Sequence, residues 1–219
     1  MPSPRIALFD MDRTLVRKDT ATLLTRYRRE TGQANLLDTL RVGLWVLEYT
    51  FGVADAEGIA QKVLTSYRGI SESQLLADGL ACFDAYVVEH ISEQARQTVR
   101  AHRDAGDFVA IVTSATRYTT EPVARELGVE HYACSELEVD DSGCLTGRHV
   151  SPLCYGRGKI ARVEALLERS GATFSDAVFY SDSITDLPLL ERVASPVVVN
   201  PDLRLKRIAR QRGWRIERW

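Results

Sequence analysis

Four short apolar runs punctuate this chain: Ile6-Ala7-Leu8, Phe108-Val109-Ala110-Ile111-Val112, Ala177-Val178-Phe179-Tyr180 and Pro196-Val197-Val198-Val199. Each is too short for a core helix and is rich in β-branched or aromatic residues, so each reads as a buried strand. Helical periodicity separates them. Strands that alternate with helices assemble into a parallel sheet covered on both faces. The expected fold is therefore α/β, a Rossmann-like doubly wound parallel sheet, with an edge strand over 214–216.

Between the first two runs the pattern is helical throughout. The spacing predicts helices over 20–30 (Leu23, Leu24 and Tyr27 on one face), 36–51 (Leu37, Leu40, Leu44, Leu47), 54–67 (Ile59, Val63, Leu64) and 73–90 (Leu75, Leu76, Leu80, Phe83, Val87). Apolar stripes of this kind are packing faces. The expected division is an α/β core over 1–15 and 95–219, interrupted by a helical cap over 16–94. Beyond the cap, helices are expected over 92–105, 118–127, 158–170 and 201–212. A hairpin is expected around Asp140-Asp141-Ser142-Gly143.

The balance of 28 basic and 30 acidic residues, a formal charge of -2, argues against a nucleic-acid binder. The basic stretch from Arg204 to Arg218 reads as the outer face of a helix. Cys82, Cys134, Cys144 and Cys154 lack C-x-x-C spacing and read as reduced thiols of a cytoplasmic protein. Residues 1–5 are too short and polar for a signal peptide. Residues 42–53, around Trp45, are interrupted by Glu48 and fall short of the roughly 20 residues of a membrane span. No membrane and no nucleic acid are expected as partners, and the chain is expected to be a monomer or homodimer.

The chemistry gathers where the runs end. Asp10 and Asp12 leave the first run, Thr113 and Ser114 the second, and Asp182 the third, with Asp186 a turn later; Lys159 follows Gly156-Arg157-Gly158 at the start of a helix. The carboxyl ends of parallel strands line the ligand crevice of such sheets. Two like charges about 4 Å apart cost roughly 4 kcal/mol at an effective dielectric near 20, so the paired aspartates call for a bound cation or a raised pKa. Taken singly, Thr113 reads as a helix cap, Lys159 as a surface charge and Asp182 as an N-cap. Together they suit phosphoryl transfer through a carboxylate nucleophile, with a second carboxylate as acid and base and Mg²⁺ held by oxygen ligands.

In order and spacing, Asp10-x-Asp12-x-Thr14-Leu15, Thr113, Lys159 and Asp182-Ser183-x-x-Asp186 resemble the four motifs of the haloacid dehalogenase superfamily. The stretch Tyr180 to Leu189, with a helical cap between the first and second motifs, is similar to its phosphoserine-phosphatase-like branch, subfamily IB. The resemblance implies a HAD-like fold and a Mg²⁺-dependent phosphatase acting on a small-molecule phosphomonoester through an aspartyl phosphate. It implies Asp10 as nucleophile, Asp12 as general acid and base with its carbonyl on the metal, and Asp182 as metal ligand. Asp186 is implied as a further ligand or a partner behind the ligands. Thr113 and Ser114 would hold the phosphoryl group, either one supplying the working hydroxyl, and Lys159 would neutralise it. Arg13 stands where the superfamily has a small residue, and would alter the loop or add a phosphate contact. Asp19 falls where phosphoserine phosphatases meet the substrate ammonium, or else caps the helix at Thr20. The family's carboxylate-binding arginine has no match in Lys62-Val63, Arg68 lying further on. The implied substrate is an amine-bearing ester such as histidinol phosphate, phosphoserine or phosphoethanolamine. Two alternatives are a receiver-like phosphoaspartate signalling domain and a non-catalytic phosphate-binding protein. A P-loop at Lys159 fails, because Leu153 and Ile160 occupy its required glycine and hydroxyl positions.

Overall fold

The computed structural model describes residues 5–33, 58, 61, 64–170 and 172–219. The expected helix over 36–51, most of that over 54–67, Trp45 and Lys62-Val63 lie outside the described residues.

Six parallel strands form the main sheet in the order β3-β2-β1-β6-β7-β8. They are β1 (Ile6–Phe9), β2 (Phe108–Thr116), β3 (His131–Ser135), β6 (Ala177–Ser181), β7 (Ser195–Val199) and β8 (Arg215–Glu217), while β4 (Leu137–Val139) and β5 (Leu145–His149) make an antiparallel hairpin. β1 is central, with Ile6 opposite both Phe108 and Ala177, and Phe9 opposite both Ile111 and Tyr180. Side chains alternate between two buried clusters as a period of two requires. Ile6, Leu8, Ala110, Val112, Phe179 and Val198 enter one. Ala7, Phe9, Val109, Ile111, Tyr180, Val197 and Val199 enter the other.

Helices cover both faces: α1 (Thr20–Glu30), α2 (Glu72–Cys82), α3 (Glu93–Asp104), α4 (Arg117–Leu127), α5 (Arg157–Ser170), the short α6 (Leu187–Leu190) and α7 (Leu203–Arg212). Their ends obey local chemistry. Asp19, Ser92 and Asp202 accept N-terminal N–H bonds at α1, α3 and α7, and Gly128 and Gly213 close α4 and α7 in the left-handed region. Leu205 and Ala209 of α7 face inward, which leaves its arginines on the outside as expected. All four cysteines are free.

The described helices of the insert share the sheet's own core. Leu23 and Leu24 of α1 and Leu75 and Cys82 of α2 join the cluster that holds Phe9 and Met11. At Gly79 a Cβ would meet the Tyr118 carbonyl oxygen at 2.1 Å, so α2 approaches α4 as only glycine permits. The hairpin fastens the insert's return leg: Gly69 N–H donates to Leu145 O at 2.8 Å, Leu145 N–H to Ile70 O at 2.8 Å, and Glu72 N–H to Gly143 O at 2.9 Å.

Three expectations are corrected. The helix over 73–90 ends at Cys82, passes through a π-helical turn (Phe83–Val87) and finishes as a 3₁₀ turn (Val88–His90). The chain must deliver Ile91 and Ser92 to the loop after β1, where Arg17 N–H meets His90 O at 2.9 Å and Ser92 N–H meets Leu15 O at 3.1 Å. An unbroken α-helix would not turn there. On α2, Leu75 is buried whereas Leu80 is 44% exposed, because Leu76 and Leu80 form a ridge beside the buried one. The second apolar run continues to Thr116 with a register shift after Val112, because the edge strand β3, hidden in the sequence by the hairpin beside it, extends the pairing to Ser135.

Candidate active site

The register of the sheet brings the three strand ends together. Asp10 follows β1 directly, and its N–H donates to Tyr180 O at 2.9 Å, so it lies level with Ser181 at the end of β6. Asp182 is one residue further. Thr113 lies two residues past the Ile111 that faces Phe9. Asp10, Thr113, Lys159, Asp182 and Asp186 are all buried.

Lys159 is the junction. The residue is fully buried; its Nζ donates to Asp10 Oδ1 at 2.7 Å and to Asp186 Oδ2 at 2.7 Å. It reaches them because α5 starts from a tight turn. Gly156 has φ 51°, and a Cβ on Gly158 would stand 2.0 Å from the Leu153 carbonyl oxygen. Both glycines of Gly156-Arg157-Gly158 therefore serve the placement of the lysine. Ser181 Oγ donates to the same Asp186 Oδ2 at 2.7 Å, while Asp186 Oδ1 is buried with no hydrogen-bond partner among the described residues.

Asp12 sits in a curled loop closed by Val16 N–H on Met11 O at 2.9 Å, with Met11, Leu15 and Val16 buried beneath it. Its Oδ1 accepts the Thr20 N–H at 2.9 Å, at the positive end of α1. Arg13, the next residue, is exposed and has φ 62°.

The carboxyls press on one another. Burial raises Asp10 to about 6, with Asp186 adding to the rise and Lys159 pulling it down. Burial, and after it Asp19, holds Asp12 well above the usual carboxylate range. Burial, then Asp10 and Asp186, does the same to Asp182, with Arg13 and Lys159 opposing. A cluster this short of positive charge, with oxygen donors alone, suits a hard divalent cation. Among the described residues no three Asp, Glu, His or Cys side chains form a complete cage, and Mg²⁺ requires none, since it binds through one or two carboxylates and keeps waters.

The remaining expected residues divide. Thr113 Oγ1 accepts the Ala115 N–H at 3.1 Å, which leaves its own proton to donate; Ser114 is half-buried beside it. Asp19 is the N-cap: its Oδ1 takes the Thr22 N–H and hydroxyl, each at 2.9 Å. Asp186 is bonded to Lys159 and Ser181. Asp182 caps nothing, since Ser183 accepts the Thr185 N–H that opens the 3₁₀ turn (Ile184–Asp186).

Sequence reasoning overlooked Ser181 and Asp202. Asp202 Oδ2 accepts the Ile184 N–H at 2.6 Å, and its own N–H donates to the Asp182 carbonyl at 2.9 Å, which ties α7 to the loop carrying Asp182. The signal for Asp202 was that of an N-cap before a helical pattern.

A buried lysine between two carboxylates that follow neighbouring parallel strands, with Asp12 on the loop after β1, forms a polar centre where the strands of a Rossmann-like sheet end. The chain belongs to the haloacid dehalogenase-like hydrolase family, whose pattern it matches over residues 7–191. It is 30% identical over 213 residues to a histidinol-phosphatase of Neisseria meningitidis, covering 95% of this chain and 96% of that one. It is 32% identical over 216 residues to a phosphoserine phosphatase of Mycobacterium tuberculosis, covering 96% and 69%. A crystal structure of a protein of unknown function from Bordetella pertussis superposes with a TM-score of 0.88 at 33% identity, over 98% of both chains. A phospho-aspartyl intermediate analogue of phosphoserine phosphatase shares the fold, with a TM-score of 0.73 at 19% identity, over 98% of this chain and 93% of the other. The protein is thus a HAD-like phosphatase.

Proposed function

We propose that this protein hydrolyses a small-molecule phosphomonoester through a phosphoaspartate on Asp10, with Mg²⁺ as cofactor, and that its substrate carries an amine. The observation that carries this reading is the bridge of Lys159 between Asp10 and Asp186 at the carboxyl end of the sheet, where Asp12 is held on the Thr20 N–H.

In this mechanism an Asp10 carboxylate oxygen attacks phosphorus in line with the ester oxygen. The new O–P bond forms as the ester P–O bond breaks, and Asp12 gives its proton to the departing alkoxide. The raised affinity of Asp12 for its proton suits that role. Water then enters, Asp12 takes its proton, and the oxygen attacks phosphorus, breaking the bond to Asp10 and releasing phosphate. Lys159 holds Asp10 in place and offsets charge on the phosphoryl oxygens, which Thr113 and Ser114 also bind. The Asp10 and Asp182 carboxylates and the Asp12 carbonyl would hold Mg²⁺, with Asp186 acting through Lys159. The cation supplies Lewis-acid polarisation of the phosphoryl group and the missing positive charge.

Asp19 keeps Oδ2 for the substrate ammonium while Oδ1 caps α1, which supports an ester in the range of histidinol phosphate, phosphoserine and phosphoethanolamine. The segment 16–94 acts as the cap over the site. The enzyme works in the cytoplasm as a monomer or homodimer.

The test is phosphate release from a panel of phosphomonoesters with Mg²⁺ or with EDTA, for the unaltered protein and Asp10→Asn. Turnover should require Mg²⁺ and fall by about 10³-fold or more in the variant, the range expected for loss of a nucleophile. Release that survives both EDTA and Asp10→Asn contradicts the mechanism.

A further inference from the structure

One feature of the site is unused by the mechanism above. Arg13 follows Asp12 directly, in the left-handed region at φ 62°. Few residues other than glycine, asparagine and aspartate accept that conformation, and strain of this kind collects at ligand sites. The stretch around it is fixed: Asp10, Met11, Thr14, Leu15 and Val16 are buried and Asp12 is half-buried, so Arg13 is the one exposed residue before Arg17 and Lys18.

Its guanidinium makes no hydrogen bond and no ion pair among the described residues. Most arginines with a carboxylate in reach are paired, as Arg26 is with Glu30, Arg96 with Glu126 and Arg162 with Glu136. A free, planar, permanently charged group is therefore carried at an exposed position of the nucleophile loop, one residue after Asp12. Lys159 serves the reacting group from below, fully buried on Asp10.

We infer that Arg13 is a specificity-determining residue that holds a second anionic group of the substrate, a carboxylate or a further phosphate, away from the reacting phosphoryl group. This inference rests on the phosphatase reading and narrows it to esters with a second anionic group, which among those named above keeps phosphoserine and sets aside histidinol phosphate and phosphoethanolamine. The guanidinium fork matches either group through paired N–H···O bonds, which a lysine at the same place reproduces only in part. It also supplies from the nucleophile loop the recognition for which Lys62-Val63 offers no arginine.

The test uses the Mg²⁺-loaded enzyme and two matched pairs: phosphoserine with phosphoethanolamine, which differ by a carboxylate, and fructose 1,6-bisphosphate with fructose 6-phosphate, which differ by a phosphate. Arg13→Gly removes the side chain while keeping a residue at home at this φ, and its melting curve verifies the fold. The ratio of kcat/KM within one pair should fall by about 10- to 100-fold in Arg13→Gly, the value of a charge-assisted contact. Arg13→Lys should recover part of it, and the pair that responds identifies the group. Unchanged ratios in both pairs, with phosphate still released, overturn this inference alone. No release from any ester by the unaltered enzyme overturns the phosphatase reading and this inference together.

Discussion

At the scale of single residues, Lys159 bears the heaviest duty. A lysine is almost never fully buried unless paired, and here both pairings are to carboxylates that are themselves buried. Removing it strands two acids rather than one. Lys159→Met keeps the apolar stem and removes the charge, and should destabilise the fold by about 3–5 kcal/mol in urea denaturation. Adding Asp186→Asn should restore part of that stability while leaving turnover absent, which separates support of the fold from service to the reaction. This residue was legible in the sequence because its chemistry is written in its identity and spacing. Ser181 was not. Its importance depends on the turn that folds Asp186 back over β6, and nothing in a lone serine beside an aspartate announces that.

At the scale of elements, the start of α5 sets the height of the lysine. The Leu153 carbonyl occupies the place where a Gly158 side chain would go. Gly158→Ala must push the helix away from that carbonyl, at about 1–3 kcal/mol for overpacking, and draw Lys159 off Asp10. A fall in kcat larger than the change in KM, measured beside the melting temperature, is the expected outcome. The same scale shows where reading a sequence falls short. The strands flanking β1 were legible because each is buried on both faces and has no polar alternation to confuse it. Edge strand β3 was not, since His131 and Tyr132 at its start are only partly covered and the turn residues that follow belong to a different sheet. Helical periodicity likewise carried past Cys82, because Phe83 and Val87 keep the stripe alive after the backbone has left the α conformation. Periodicity reports burial, and burial outlasts the helix there.

At the scale of the whole molecule, the site is an excess of negative charge gathered after two neighbouring strands, β1 and β6, and a cation that relieves it should stabilise the native state. At a hundredfold excess over its Kd a ligand adds about 2.7 kcal/mol, and for a chain of this size each kcal/mol raises Tm by about 2–4 °C. Mg²⁺ should therefore raise the melting temperature of the unaltered protein by several degrees, and that of Asp182→Asn by much less. A different consequence follows from the central place of β1. It precedes both of its partners along the chain, and the residues it pairs with begin at Phe108 and Ala177. At roughly 5–20 residues per second, the nascent strand waits on the order of ten to thirty seconds for its second neighbour. During that wait the newly made helices that bring Leu23, Leu24 and Leu75 against Phe9 and Met11 are its cover against chaperones and other nascent chains. Asp10 meets the strand that carries Asp182 only once everything between them has been made, so no catalytic centre exists before that stretch has left the ribosome.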